Sequence, residues 1–558
     1  MEIAELTAGS VWTVLVDSAR RHADREAVVD DRERLTYEGL TAAAFQAGAA
    51  MAAAGVRPGD RVALWGPNSA RWGVIALGAH SVGAAVVPVN TRARGAEAAQ
   101  LLRRTQARLL FVADDFLGTG YSAMLREAAG GPGPDGPVAG LPALRGIVDF
   151  YGPSDGPLTG WPEFVAAATA PRRVHLRPGV NAAPGPDAVA YVMSTSGSTG
   201  EPKGVVVRHG QLVRTYTALG RRLGIGSGDR ILGVTPLSHS MGLNAGLLAA
   251  LLSGGCYVAV DVFDPATALS RIGRESITVL SGPPTLFTDL MGALAAGAGA
   301  GYRPPRLAVT GATTVTAALL ERIRNELGIA QLVTGYGLTE ATGTVTARHP
   351  SGDAGAAALG APPLPGVELR VVDAEGRPVE SGTAGEVLVR GFNVTTGYHD
   401  DPGATARAID PDGWLHTGDV GVLNEAGELR IVDRLGDTFI VGGFNVYPSE
   451  VEQVLGRAPG VAEVAVVGVP DERLGERGIA YVVATPGTSV TARELLDRCR
   501  RELAGYKVPT EVITLGELPR LASGKPSRRA LRELADRTRR GATGSGGSAA
   551  GTPAVRRA

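Results

Sequence analysis

The sequence predicts a mixed α/β architecture in two or three domains, and three observations carry that expectation. At 558 residues the chain is too long for one hydrophobic core. Helix-like stretches alternate with short β-branched runs over its first half, the pattern of α/β layers built on parallel sheet. From Val367 the character changes to short alternating strands, and after Leu435 mixed helices and strands resume.

Taken in order, helical spacing covers Ser10 to His22 and Tyr37 to Ala54, and strands are expected at Arg61-Val-Ala-Leu64 and Ala84-Ala-Val-Val-Pro88. Glu127 to Gly140, with its GGPGPDGP core, reads as a loop, and Arg177 to Asp187 as a Pro/Gly-rich connector into the next strand. Arg230 to Val234, Cys256 to Val260 and Ile277 to Leu280 extend the parallel sheet. VELRVVD, GEVLVRG, GELRIVD and FIVGG alternate with turns, which predicts an antiparallel or barrel-like subdomain. Ser449 to Leu455, Val461 to Gly468 and Ala492 to Leu503 suffice for a small α/β domain of roughly a hundred residues. The expected boundaries are 1–435 for the large domain, 436–540 for the small one and 541–558 for a disordered tail.

Charge and cysteine content exclude several classes. Lys and Arg number 55 against 56 Asp and Glu, a formal net charge of −1, so nothing favours nucleic acid as a partner. Cys256 and Cys499 stand far apart without metal-ligand spacing, so neither a disulfide framework nor a zinc site is expected. No secretion signal is read at the N-terminus. The apolar run from Val74 to Val89 is interrupted by His80 and is too short to span a membrane. A cytoplasmic protein without a membrane partner is expected.

Chemistry concentrates in a few segments. Tyr191 to Val205 carries an apolar strand end into STSGSTGEPKG, where glycines permit close amide approach to an anion, hydroxyls add neutral donors and Lys203 adds a mobile charge. It is not a GxxxxGK[ST] loop, because Pro202 and Gly204 stand where the second glycine and the hydroxyl belong. In Thr334-Gly-Tyr-Gly-Leu-Thr-Glu340 an aromatic between glycines can lie against a purine, and the following hydroxyl and carboxylate can hold a phosphate and its magnesium. In Trp414-Leu-His-Thr-Gly-Asp419, followed by Asp433-Arg434, a carboxylate can accept from vicinal hydroxyls and a guanidinium can grip ribose or phosphate. Pro519 to Lys525 ends a Ser-Gly turn on a lysine.

Together these segments resemble the adenylate-forming superfamily, over nearly the whole chain from Leu35-Thr-Tyr-Glu-Gly-Leu40 to Lys525. The resemblance implies that Thr195, Ser196, Gly197, Ser198, Thr199, Gly200 and Lys203 cradle ATP phosphates. It also implies that Tyr336 and Gly337 meet adenine, that Thr339 contacts the α-phosphate and that Glu340 ligates Mg2+. Asp419 would bind ribose, Arg434 ribose or phosphate, and Lys525 would bridge the substrate carboxylate and phosphate. Pro236-Leu-Ser-His-Ser-Met-Gly242 is similar to the family's P-L-x-H-x-x-G segment, making His239 the wall and gate of an acyl tunnel. Thr310-Gly-Ala-Thr-Thr314 departs from the adenine loop, so only Gly311 and Ala312 carry over.

Phe439 to Pro448, Val466 to Asp471 and Tyr506 to Pro509 most resemble the acyl-CoA synthetase branch, and Ser281 to Phe287 with Gly337 to Gly343 resemble ligases for bulky terpenoid and steroid-derived acids. The resemblance implies a small mobile C-terminal domain, with Gly442 and Gly443 lining the thiol path and small pocket residues Gly242, Ala245, Gly311 and Gly335 suiting a bulky acid. The hinge reads Asp433-Arg-Leu-Gly-Asp437, with Gly436 at the pivot where relatives carry a charged residue. The expected reaction joins a carboxylic acid to AMP and then to the thiol of CoA. An acyl-carrier protein is the alternative acceptor, a single half-reaction on a supplied adenylate the alternative enzyme, and a homodimer the assembly considered. A non-enzymatic nucleotide-binding scaffold is disfavoured because every catalytic position is filled.

Overall fold

The computed structural model describes residues 9–132, 137–152, 158–169, 183–196, 202–311, 315–350, 353, 355, 360–441, 444–471, 473–521 and 524–543. The chain divides into two compact units: Met1–Arg370, Leu388–Thr417 and Ala426–Leu429 form the first, and Val371–Val387, Gly418–Glu425 and Arg430–Ala558 the second.

Two large sheets build the first unit. One has eight strands in the order Thr346–Ala347, Gln331–Tyr336, Leu307–Gly311, Val279–Gly282, Arg230–Gly233, Cys256–Ala259, Glu26–Val29 and Arg34–Thr36. Its inner strands are parallel and only the two outermost pairs are antiparallel. The other has seven: Thr159–Gly160, Gly146–Asp149, Leu109–Val112, Arg61–Trp65, Ala85–Val89, Val189–Ser196 and Pro202–Arg208. Strands such as Leu109–Val112 and Cys256–Ala259 are buried along their whole length, as parallel strands covered on both faces must be, and this is why they read as continuous apolar runs rather than as alternations. Side-chain caps start the covering helices: Ser10, Thr36, Ser69, Asp264 and Thr316 each accept from a backbone N–H of the first turn.

The apolar run near Val74 belongs to the helix Ala70–Ser81, which is buried along nearly its whole length, His80 included. Among the described residues no helix is long and apolar enough to cross a membrane. Both cysteines are free and buried. The loop expected from Glu127 starts later, because the helix Tyr121–Ala129 buries Tyr121, Ser122 and Leu125 on one face and runs on to a glycine at φ 89°.

The strands Val367–Val372, Ala384–Gly391, Leu415–Leu423 and Leu429–Arg434 make a four-stranded sheet in chain order. Within the second unit, Phe444–Val446, Phe439–Val441, Gly475–Ala484 and Val461–Asp471 lie side by side, with Glu511–Leu515 parallel to Gly475–Ala484. Helices Pro448–Gly456 and Ala492–Glu502 bring Val451, Leu455, Leu495 and Cys499 into a core with Val466, Ala480 and Val482. The alternate residues Ala465, Val467 and Tyr481 point the other way, against Leu531 and Ala535 of the helix Arg528–Thr543.

Candidate active site

The loop expected to hold phosphates connects two antiparallel strands, Val189–Ser196 and Pro202–Arg208, in a register that sets Thr195 opposite Lys203 and Ser196 opposite Pro202. Gly197, Ser198, Thr199, Gly200, Ala312, Gly442 and Gly443 lie outside the described residues, as does the side chain of Ser196. The Lys203 ammonium sits 5.0 Å from the ring centroid of Tyr398. The Tyr398 hydroxyl in turn donates to Glu340 Oε1 at 3.0 Å. Tyr398 escaped the sequence reading; its signal is the turn Thr395-Thr-Gly-Tyr398, whose Gly397 has φ 137°.

Backbone bonds hold this cluster together. Thr395 N–H donates to the Glu340 carbonyl at 2.7 Å, His399 N–H to the Gly204 carbonyl at 2.7 Å, and Val206 N–H to the Gly397 carbonyl at 3.1 Å. Thr395 Oγ1 also donates to the Val206 carbonyl at 2.6 Å. One segment thus joins the strand after the loop to the turn that carries Glu340.

Tyr336 ends a strand, and Thr339 and Glu340 lie in the single 3-10 turn Thr339–Ala341, both half-buried. This turn is clamped from behind. Asn393, fully buried, donates its side-chain amide to the carbonyls of Ala341 and Thr344 at 3.4 and 3.2 Å, and its backbone carbonyl accepts from Thr342 Oγ1 at 2.6 Å. Tyr216 Oη donates to the Thr342 carbonyl at 2.8 Å. Thr342 takes φ 58°, a left-handed conformation that a threonine keeps only when its surroundings insist.

Gly233, Gly282 and Gly311 end parallel strands, and Gly335 stands next to such an end, on the edge of the sheet where ligands of open α/β folds bind. The glycines expected to widen an acyl pocket have a nearer reason to be small. A Cβ on Gly311 would come within 2.8 Å of the Gly335 carbonyl, its register partner, and one on Gly335 within 2.8 Å of the Thr346 carbonyl. At Gly242 it would meet the carbonyls of Thr235 and Pro236 at 2.3 Å. Close backbone approach therefore explains all three. Ala245 is half-buried on a π-helix, Met241–Leu248, a form that favours functional sites. His239, just before it, is exposed and accepts at Nδ1 from Met241 N–H at 3.2 Å.

Trp414 opens the W-L-H-T-G-D segment as a buried post: the guanidiniums of Arg370 and Arg390 lie over its ring at 4.3 and 4.5 Å. In the second unit Asp419 is buried and its Oδ1 accepts from Arg434 Nε at 2.9 Å. Lys525 shares their surroundings. Although exposed as a residue, its ammonium has a lowered pKa, through desolvation first and then the Arg434 guanidinium, with Asp419 pulling the other way. Gly436 lies in the exposed turn after Arg434, and the next residue, Asp437, is tied to Arg528 at 3.3 Å and Arg532 at 3.4 Å.

Among the described residues no group of three or more His, Cys, Asp or Glu side chains could cage a metal ion. Glu340 offers a carboxylate beside the Lys203 strand, which fits a cation held by one carboxylate and substrate phosphates, the habit of magnesium.

Comparison with known proteins accords with this geometry. Residues 15–399 match the family described as AMP-binding enzyme, and residues 450–525 match its C-terminal domain. A protein of Mycobacterium tuberculosis named "3-[(3aS,4S,7aS)-7a-methyl-1,5-dioxo-octahydro-1H-inden-4-yl]propanoyl:CoA ligase" is 44% identical over 92% of this chain and 97% of its own. A protein of the same name from Rhodococcus jostii is 41% identical over 93% and 98%. Among solved structures, an anthranilate CoA ligase in complex with anthranoyl-AMP superposes with a TM-score of 0.82 at 26% identity, covering 96% of this chain and 99% of that one.

Proposed function

The chain belongs to the AMP-binding enzyme family, and from this premise we infer that it is an ATP-dependent acyl-CoA ligase whose acid is a bulky, fused-ring carboxylate. The observation that carries the nucleotide reading is the pairing of opposite charges through one phenol: the Lys203 ammonium over the Tyr398 ring and the Glu340 carboxylate on its hydroxyl. A cation for phosphate oxygens and an anion for their metal are what a magnesium-bound triphosphate needs on its two sides.

A carboxylate resists attack because its charge is delocalised and oxide does not leave. Joining it to AMP makes a mixed anhydride, whose leaving group is a stable phosphate monoester that a thiolate displaces. The first step needs alignment of the carboxylate with the α-phosphorus, and neutralisation of the charge that spreads over the phosphate oxygens. Lys203 and Thr195 hold the phosphates, Tyr336 lies against adenine, Thr339 contacts the α-phosphate and Glu340 ligates magnesium, which when bound draws charge from the phosphates. Asp419 accepts from the ribose hydroxyls, Arg434 steadies ribose or phosphate, and Lys525 bridges carboxylate and phosphate. The second step is thiolation at CoA, with the turn at Gly436 as the pivot between the two states, and the acyl chain passes His239.

The acid is argued from relatives rather than from glycines. Two proteins above 40% identical over nearly the full chain are named for a methyl-dioxo-octahydroindenyl propanoyl group. We therefore assign to this chain a propanoate-like acid on a fused-ring body. CoA is the acceptor in both names. Mass spectrometry of thioesters formed from ATP, CoA and a panel of fused-ring propanoates, aromatic acids and straight-chain fatty acids tests the assignment. A fused-ring acid giving the highest kcat/KM supports it; preference for a straight chain would refute the acid, and AMP without any CoA thioester would refute the acceptor in favour of a carrier protein.

A further inference from the structure

We propose that Tyr398 is a positioning residue that presets Glu340 for the nucleotide's magnesium and Lys203 for its phosphates. The inference rests on the nucleotide reading above and adds to it a residue outside every segment that carried that reading.

Three contacts place it. The Tyr398 hydroxyl donates to Glu340 Oε1 at 3.0 Å. Its ring underlies the Lys203 ammonium at 5.0 Å. Its backbone is locked to both neighbours: Val205 and Tyr398 form a β-bridge, the flanking Gly397 and His399 bond to Val206 and Gly204, and Thr395 N–H holds the Glu340 carbonyl. Tyr398 therefore cannot drift relative to either charge. A carboxylate oxygen only accepts, so the phenol is the donor in this bond.

A carboxylate on a half-buried turn has rotamers to choose from, and only some aim an oxygen at a phosphate-bound cation. A phenol bonded to one oxygen selects among them and leaves the second for the metal; among the described residues no other side chain bonds to this carboxylate. Outer-shell partners of metal ligands act in this way, and their removal typically weakens metal binding about 10- to 100-fold. The ring has a separate duty: it offers the ammonium a weakly attractive face without neutralising it, so that Lys203 keeps its charge for phosphate.

Phenylalanine separates the two duties, because Tyr398→Phe removes the hydroxyl and retains the ring. Calorimetry of a non-hydrolysable ATP analogue across a magnesium titration should show an apparent magnesium constant weakened about tenfold, with unchanged analogue affinity without metal and an unchanged thermal midpoint. Because the hydroxyl acts through Glu340, adding Tyr398→Phe to Glu340→Gln should produce no further loss. Tyr398→Leu, which also removes the ring, should in addition weaken the metal-free binding. An unaltered magnesium constant in Tyr398→Phe, or an additive loss in the double variant, overturns the proposal while the nucleotide reading stands. A wild-type protein whose affinity for the analogue ignores magnesium overturns both.

Discussion

Arg434 donates through Nε to Asp419 Oδ1 at 2.9 Å, pairing a side chain that is 67% exposed with one that is 6% exposed. The buried partner is thereby oriented by the exposed one. If Asp419 is the ribose acceptor proposed above, its rotamer is already chosen before the nucleotide arrives. Asp419→Asn keeps the shape and loses the charge, so affinity for ATP and for AMP should fall together, by roughly 10- to 100-fold, since charged hydrogen bonds of this kind contribute about 1.5–3 kcal/mol. Titration calorimetry with both nucleotides measures it; a loss confined to ATP would move Asp419 away from the ribose.

Lys525 should serve one half-reaction only. Lys525→Ala is expected to slow adenylate formation by about 100-fold or more, as loss of a charge-stabilising donor does, and to leave thiolation of a supplied adenylate nearly intact. A pH profile sharpens this. The amine's pKa is lowered from a lysine's ordinary 10.5, so its charge is lost at a lower pH than usual. Adenylation should therefore fall as pH rises through that lowered value, and thiolation should lack this limb. Stopped-flow measurement of each step with wild type and variant decides between them; equal loss of both steps would sink the role.

Acid should unfold the protein through two histidines. His80 and His209 are fully buried, their rings 4.7 Å apart and edge-on. Burial lowers the His80 pKa to about 4, opposed by its bond to the Ala190 carbonyl, and burial followed by His80 lowers His209 well below 6.5. In the unfolded chain both titrate near 6.5. Since the folded values lie below the unfolded ones, the stability they confer is complete above pH 6.5 and is lost as pH falls toward 4. For His80 alone the loss is of order 3 kcal/mol. Thermal midpoints from pH 7 to 4.5 should decline accordingly, and less steeply in His209→Leu; parallel slopes would exclude the pair as the cause.

At Gly436 a Cβ would meet nothing within 4 Å, so Gly436→Lys, which adds a charge at the exposed turn, is sterically free and should shift either half-reaction only severalfold. Gly436→Pro fixes φ near about −65° and constrains Leu435 as well. It should slow one half-reaction about tenfold or more relative to the other. Rates of both steps, measured separately, check the pair of variants, and proline without effect on either would place the pivot elsewhere.

What the sequence revealed and what it withheld divide along physical lines. Strands such as Arg230–Gly233 and Val461–Asp471 were legible because burial on both faces or on one writes directly into apolar runs or alternations. The segments that carry Thr339, Glu340, Asp419 and Lys525 pointed to the family because each is contiguous in the chain, and that family is the one matched over residues 15–399 and 450–525. Tyr398 was not legible, since its partner Glu340 is 58 residues away and only the fold brings hydroxyl and carboxylate together. Smallness at Gly242, Gly311 and Gly335 is likewise visible in the sequence, but the carbonyls that a Cβ there would meet are not. Nor does any spacing rule announce that Met241–Leu248 winds as a π-helix.

The hairpin that carries Lys203 constrains how this enzyme's gene can change. Its second strand is held on one side by seven register pairs from Val189↔Arg208 to Ser196↔Pro202 and on the other by the bonds to Gly397 and His399. A slip of one residue would turn the buried Val205 and Val207 outward and break both sets at once. An inserted or deleted codon within Pro202–Arg208 therefore cannot be absorbed by sliding the strand, so this strand can change by exchanging residues while its length stays inherited.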